Sequence, residues 1–345
     1  MTIEEAASRF HWFEIDPNDG VVNLYLDHHS LATFRSCEAS FELSMMANIK
    51  GKHKSWNLEF GIVFHKMVEL FYIGKRDETF EFNDWLSKAC YYWHLYNIDS
   101  QFEEHKMYKT LGGLHGFLAM LGQYATHFAA EVDRLRVIGI EITFGKKREV
   151  PLGEFELAET YTEFNGYENK LVRCYLTGRI DFLMDSGNAI GPLDHKTTAF
   201  FKGSPSASYD PQEGMTGYVY ATNYILKSRF PELLQGRKVD RIWMNFAQIT
   251  PQADPMQRFK RVPLFKTEWQ LEEYRKRQLR TFHKIYDMVV LGERPDWNTS
   301  VCNNMFHSEC PYRNLHRQNS SSAMLNVLNQ DFVVAEPWNP EEMED

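Results

Sequence analysis

The sequence predicts an α/β fold, a sheet-containing core with a helical addition in its N-terminal half. Three observations carry that prediction. Apolar residues recur at helical spacing through the first third of the chain, as at Phe60, Phe64, Val68 and Phe71. From Val137 onward the pattern changes to short runs rich in β-branched and alternating apolar residues. The order after that change reads β-β-β-α-β, the arrangement of an α/β core.

Taken in order, residues 30–50 read as a helix with Ser30 as its N-cap. A second helix is expected over 56–73, and two more over 83–97 and 111–136. Residues 137–144, 172–184, 189–197 and 239–249 read as strands. Between the last two a helix is expected to start at Asp210-Pro-Gln-Glu213, with Asp210 as N-cap, Pro211 at N1 and Glu213 at N3. A strand at 256–264 and a long charged helix over about 267–291 follow. No repeat or low-complexity linker divides the chain. The expected organisation is an N-terminal extension (1–29), a helical part (30–136), a core ending in a Cys/His segment (137–318) and an acidic tail (319–345).

Composition excludes several classes. The 345 residues are 43% hydrophobic and 25% charged, which rules out collagen-like, low-complexity and disordered chains and leaves one large or two ordinary domains. No run of 18 apolar residues occurs, and the N-terminus lacks a basic region followed by an apolar one. Cys37, Cys90, Cys174, Cys302 and Cys310 without a leader indicate a reducing compartment, so an intracellular, cytoplasmic protein is expected. Cys90 and Cys174 read as small buried hydrophobes.

The net charge of −9 alone argues against a nucleic-acid partner, but its distribution matters. Six acids and no base lie between Asp331 and Asp345, which reads as a solvated, mobile end and leaves −3 on the remainder. Between Met256 and Lys284 nine Lys/Arg stand against three Glu. That strip can hold phosphates, and it can equally be a solvated helix face.

The chemistry concentrates in residues 176–197, where Asp185-Ser-Gly-Asn188 marks a turn between two strands. If Met184 pairs with Ala189, Asp181 faces Pro192 and lies diagonal to Asp194, roughly 7–8 Å away. Asp181, Asp194 and Lys196 then project from one face, while Leu176, Ile180, Phe182 and Met184 point to the core and His195 packs on the far side. Two carboxylates and a lysine on one face suit phosphodiester hydrolysis, with Mg2+ or Mn2+ between the carboxylates and Lys196 orienting water or neutralising charge. The bland alternative is a surface hairpin with an ion pair at its edge. No phosphate-binding Gly-rich loop, His-Glu-x-x-His or Gly-x-Ser-x-Gly occurs.

Gly178-Arg-Ile-Asp181, followed after a 12-residue gap by Asp194-His-Lys-Thr197, resembles the PD-(D/E)XK nuclease fold. Within it, the pattern resembles the RecB-like branch shared by AddAB-type nucleases, CRISPR-associated exonucleases and many phage nucleases. Gly61-Ile-Val-Phe-His65 resembles that branch's Gly-x-x-x-His helix, and Ser30 to Cys37, with Phe34 and Arg35, its entry motif. The resemblance implies a restriction-endonuclease-like core, a mixed central sheet flanked by helices. It further implies a metal-dependent DNA nuclease, an exonuclease on ends or single strands in recombination, repair or phage replication. Lys196, Asp194 and Asp181 would be catalytic, and His65, Asp181 and Asp194 would bind Mg2+ or Mn2+. Glu69, Glu141, Arg179, Gln212 and Tyr218 would support the metal site or contact DNA, with Arg179 either clamping a phosphate or pairing with an acid.

Two departures are visible. The branch carries a Gln four residues before a Tyr, whereas here Gly214 stands four before Tyr218 and Gln212 six before it. The branch also ends in clustered cysteines that join the upstream Cys in an iron–sulfur site. This chain offers Cys37, Cys302, Cys310 and His316, the last where a Cys would stand, so the expected occupant is an iron–sulfur cluster, then zinc, then none. The rival reading is a non-catalytic DNA-binding or scaffolding subunit that retains the fold. Partners beyond DNA, and any self-association, are left open.

Overall fold

The structure, a computed structural model, describes residues 1–52, 54–132, 135–145, 148–157, 171–199, 201, 205–234, 236–252, 254–302 and 310–340. In chain order the elements begin with α1 (Ile3–Arg9), β1 (Phe13–Ile15), β2 (Val22–Asp27), α2 (His28–Ser36), α3 (Glu38–Phe41) and β3 (Ile49–Gly51). A run of helices follows: α4 (Trp56–Arg76), α5 (Phe82–Leu95), α6 (Ile98–Phe102), α7 (Lys106–Leu111) and α8 (Gly113–Val132). Then come β4 (Arg136–Phe144), β5 (Pro151–Glu156), β6 (Leu171–Asp185) and β7 (Ile190–Thr198). The chain continues through α9 (Pro205–Tyr209), α10 (Glu213–Arg229), α11 (Pro231–Leu234), β8 (Arg241–Gln248) and β9 (Phe259–Phe265). It closes with α12 (Glu268–Tyr286), α13 (Arg313–His316), α14 (Ser321–Asp331) and β10 (Phe332–Val334).

These elements form two compact units, one of residues 1–53, 143–178 and 269–345, the other of residues 54–142 and 179–268. In the second unit the end of β6 runs antiparallel to β7, β7 parallel to β8, and β8 antiparallel to β9, a mixed sheet. Helix α4 supplies the apolar layer on one face. The Ser55 hydroxyl caps it by accepting the Leu58 N–H, and Lys75 and Arg76 in its last turn favour the carboxyl end of its dipole. Phe60, Val63, Phe64, Met67, Val68 and Phe71 recur at helical spacing and are fully buried. They pack with residues of α5 and α8 and with Phe182, Met184 and Leu193 of the sheet in one apolar cluster. Burying each such side chain contributes about 1.5–3 kcal/mol before entropy is counted. The other face of the sheet is covered by α10 through Met215, Val219 and Ala221. The β7–α10–β8 connection is thus a parallel crossover with helices on both sides.

In the first unit β2 runs parallel to the beginning of β6, with Leu24 opposite Cys174, while β1 and β5 pair antiparallel with β2 and β6. A separate two-stranded ladder joins β3 to β10, with Val333 opposite Lys50.

Several local expectations fail for identifiable reasons. The helix expected over 30–50 is interrupted, because Cys37 is extended (φ −163°, ψ 110°) between α2 and α3. Its N-cap is Asp27, whose carboxylate accepts the Ser30 N–H at 2.6 Å, whereas Ser30 is itself buried. Helix α10 starts at Glu213 after Gln212 rather than at Pro211, and Asp210 instead accepts a hydrogen bond from the buried Lys266 ammonium at 3.1 Å. The C-terminal acidic stretch is not a free solvated end throughout, since Phe332 is buried in β10. No helix among the described residues is long and apolar enough to cross a membrane.

Candidate active site

The hairpin of β6 and β7 turns through Ser186–Ala189, with the Ser186 N–H donating to the Ala189 carbonyl at 2.9 Å and Gly187 at φ +79°. Asp185 anchors the turn. Its carboxylate accepts the Gly187 N–H at 2.8 Å and a two-pronged pair from Arg237 at 2.8 and 3.0 Å, which holds its pKa below the ordinary value. The ladder therefore sets Asp185 opposite Ile190, Met184 opposite Gly191 and Phe182 opposite Leu193. That register is two residues away from the Met184–Ala189 pairing expected from sequence. Continued by one step, it puts Asp181 directly across from Asp194 rather than diagonal to it.

Asp194 is buried, at 3% exposure. Its Oδ1 accepts a hydrogen bond from Lys196 Nζ at 2.9 Å. Its Oδ2 lies 2.8 Å from the same ammonium yet receives no hydrogen bond. Burial raises the Asp194 carboxyl above its ordinary range, assisted by the Asp181 charge and opposed by Lys196. Burial works to lower the Lys196 ammonium, but Asp194 and Asp181 outweigh it and the group is raised. Lys196 is thus held as a cation at neutral pH. Asp181 accepts the His195 N–H at 3.4 Å and stands 3.5 Å from Nδ1 of His65, which α4 projects toward it.

Around this group, β4 contributes Glu141, a non-glycine residue in the left-handed region at φ +51°. Its Oε2 lies 2.5 Å from Arg179 Nε, so Arg179 pairs with an acid in this structure. Burial pushes the Glu141 carboxyl up to about 7, with Arg179 opposing and Asp181 and Glu69 adding to the rise. Glu69, one turn beyond His65, is paired with Lys66 at 2.8 Å. On the opposite sheet face His195 is buried among Phe182 (4.9 Å between ring centroids), His65 (5.9 Å) and Tyr72 (6.0 Å), and burial keeps it neutral.

Two further expected participants lie at the start of α10 and within it. Gln212 is exposed and donates its amide to the Ser208 carbonyl at 3.0 Å, and Tyr218 is half-buried on α10. Conversely, sequence reading missed Tyr209. Its ring packs on Phe246 at 5.1 Å, on the Lys196 face, and its phenol interacts electrostatically with Lys196 and Asp194. It lies in the β7–α10 connection, at no spacing that would single it out.

Part of the basic strip is engaged within the protein. Arg258 is buried and donates to the carbonyls of Gln248 and Ile249. Arg261 bonds Asn245 at 2.7 Å and Tyr72 at 2.9 Å. Arg275 and Lys276 pair with Glu272 and Glu273 on their own helix. Lys260, Lys276, Arg277, Arg280 and Lys284 are exposed, so a phosphate-holding strip and a solvated helix face both remain open for the rest of it.

Among the described residues no group of three or more His, Cys, Asp and Glu closes tightly enough to hold a metal ion. The donors at the hairpin nonetheless fit a hard divalent cation. Asp194 Oδ2 is buried without a hydrogen bond, Asp181 faces it across the ladder, and His65 stands beside Asp181. In the first unit Cys37, Cys302 and Cys310 are free thiols. The Cys310 N–H donates to the Cys302 carbonyl at 3.1 Å, and Cys310 Sγ lies 3.9 Å from Ser40 Oγ. His316 stacks on Trp297 at 4.3 Å and is held neutral by burial. Residues 303–309, between the last two thiols, lie outside the described residues.

The structure is thus a mixed α/β fold, with helices on both faces of the sheet and an Asp/Asp/Lys group at a β-hairpin. The family model described as the PD-(D/E)XK nuclease superfamily matches residues 26–315, and the chain belongs to that superfamily. No curated protein matches the chain.

The Glu141 carboxyl gives a pH signature. In the folded protein it keeps its proton up to about 7, whereas its ordinary value is 4.5, so stability falls as pH rises between those values. Glu141→Gln removes that loss. Urea unfolding is expected to show the variant gaining on the parent from about pH 4.5 to pH 7, with a constant difference above; parallel pH curves would contradict the assignment.

Proposed function

We propose that this protein is a metal-dependent nuclease of the RecB-like branch that hydrolyses phosphodiester bonds in DNA, acting as an exonuclease on ends or single strands in recombination, repair or phage replication. One observation carries the reading. A buried carboxylate with an oxygen that receives no hydrogen bond sits opposite a second carboxylate and beside a lysine on a single sheet face. Membership of a nuclease superfamily supports it.

Asp181, Asp194 and His65 would hold Mg2+ or Mn2+, which supplies charge for the phosphate and lowers the pKa of a bound water. Asp194 and Asp181 concentrate negative charge where a cation is wanted. Lys196, kept protonated by those carboxylates, faces the same side and offers N–H donors to the oxygens of a phosphate as charge builds on them. Its role follows from its charge: it stabilises or orients, and does not accept a proton at neutral pH. His195 and its aromatic neighbours close the back of the sheet against water. Arg179, paired with Glu141 here, is exposed enough to exchange that partner for a phosphate.

Two tests follow. With labelled linear and circular DNA, cleavage is expected only with added Mg2+ or Mn2+ and only of molecules with ends. Asp194→Asn and Lys196→Met should each lower the rate by at least about 100-fold. Each should also cost up to about 3 kcal/mol by leaving a charge unpaired, while the double variant regains stability without regaining cleavage. Undiminished cleavage by the double variant would remove the assignment.

We also propose that Cys37, Cys302, Cys310 and His316 hold an iron–sulfur cluster. Hydrogen bonds from Asp296 to Glu38 and from Asn298 to Ser36 support it, because they bring the two sequence-distant segments together within one unit. Anaerobically purified protein is expected to be brown, with iron and sulfide in fixed ratio, and Cys310→Ala to lose both along with several degrees of melting temperature. Colourless protein without iron or zinc, unaffected by that substitution, would contradict it.

A further inference from the structure

Tyr209 is the last residue of α9, and the fold fixes it in place from both backbone and side chain. Next to it, the Lys266 ammonium donates to both the carbonyl and the carboxylate of Asp210. The Tyr209 carbonyl itself accepts the Gln212 N–H at 3.0 Å. A lysine side chain only 1% exposed is thus spent on holding one short connection against the sheet.

The ring completes the anchorage. It rests on Phe246, tilted by 56° with 5.1 Å between centroids. Phe246 stands directly opposite Lys196 in the β7–β8 ladder, so the two side chains leave the sheet on the same face. Phe246 is buried beneath Tyr209 and Phe201, the second ring meeting it edge-on at 6.5 Å. The half-buried Tyr209 is therefore carried to the side of the sheet where Asp194 and Lys196 stand.

Its hydroxyl is close enough to Lys196 and Asp194 to feel both charges. Among the described residues, however, it makes no hydrogen bond. Other partly buried phenols are occupied: Tyr108 donates to Asp99 at 2.8 Å, and Tyr312 to the Ile49 carbonyl at 2.8 Å. Burial holds the Tyr209 phenol above its ordinary value, so it is an uncharged O–H donor at neutral pH. Packing explains the ring and leaves the oxygen unexplained. Holding Lys196 does not explain it either, because Asp194 already does that.

We propose that Tyr209 is a further catalytic residue, whose O–H donates to a non-bridging oxygen of the phosphate that Lys196 faces. This rests on the nuclease reading and goes beyond it, since no motif read from the sequence includes the residue. The step moves no proton: the hydrogen stays on the phenol oxygen throughout. The hydrogen bond strengthens as negative charge builds on the phosphate oxygens, with Lys196 acting on the same charge from β7. Because its ring and backbone are already fixed, Tyr209 meets that charge without reorganising.

Tyr209→Phe keeps the ring on Phe246 and removes only the oxygen, so it tests the role without disturbing the fold. The full chain is assayed on labelled linear DNA with Mg2+ under steady-state conditions. The variant is expected to lose about 10–100-fold in kcat, as for one hydrogen bond to a charged group, with KM changed by less than about twofold. Its melting temperature and its Mn2+ binding by calorimetry should match the parent. A variant with the parent's kcat would overturn the proposal. So would loss of Mn2+ binding in the variant, which would place the effect at the cation site instead of the phosphate. Failure of the nuclease reading looks different: the parent itself cleaves no DNA with either Mg2+ or Mn2+, and the role of Tyr209 falls with it.

Discussion

Taking the Asp194 carboxylate out of water is unfavourable unless a partner compensates, and the partner here is two residues along the same strand. The period-2 geometry of β7 makes Lys196 the nearest cation that can share its face. Each group moves the other's proton equilibrium: Asp194 would be raised further without Lys196, and Lys196 would be lowered by burial without the carboxylates. Both oxygens of Asp194 lie within 2.9 Å of the ammonium, Oδ1 as hydrogen-bond acceptor and Oδ2 as ion-pair partner. Two carboxylates facing one ammonium leave an excess of negative charge that a divalent cation would balance. The pair thus ties the stability of the sheet to the chemistry proposed for it.

The rest of the second unit holds this pair in place. Arg237 clamps the hairpin turn through Asp185, which sets the register and brings Asp181 opposite Asp194. The apolar stripe of α4 locks that helix on the sheet so that His65, on its edge, meets Asp181. Behind the sheet, Arg261, Asn245, Tyr72 and Tyr124 form a hydrogen-bonded layer next to His195. Glu141 shows the same logic at the periphery, where a carboxyl in strained backbone is held between a cation and two acids.

What could be read from the sequence follows the range of the determining interaction. Local periodicity was enough for α4 and for the common face of Asp194 and Lys196, since both depend on a few neighbouring residues. The hairpin register was not, because Arg237 lies 52 residues from Asp185 and nothing near the turn announces it. Strand β2 escaped for a different reason: Val22 to Leu26 are all buried, so the run shows no alternation. Arg258, Arg261 and Lys266 look like surface cations in sequence, and only the fold shows them spent on carbonyls, an amide and Asp210. Tyr209 carries no signal at all until the β7–α10 connection delivers it beside Lys196.

The central claim is that Asp194 and Asp181, two facing carboxylates that share one ammonium, form a divalent-cation site with His65. Titration calorimetry with Mn2+ tests this without any nucleic acid present. The account predicts one saturable site in the parent, and its loss in Asp194→Asn with an unchanged circular dichroism spectrum. Equal Mn2+ binding by parent and variant would contradict it.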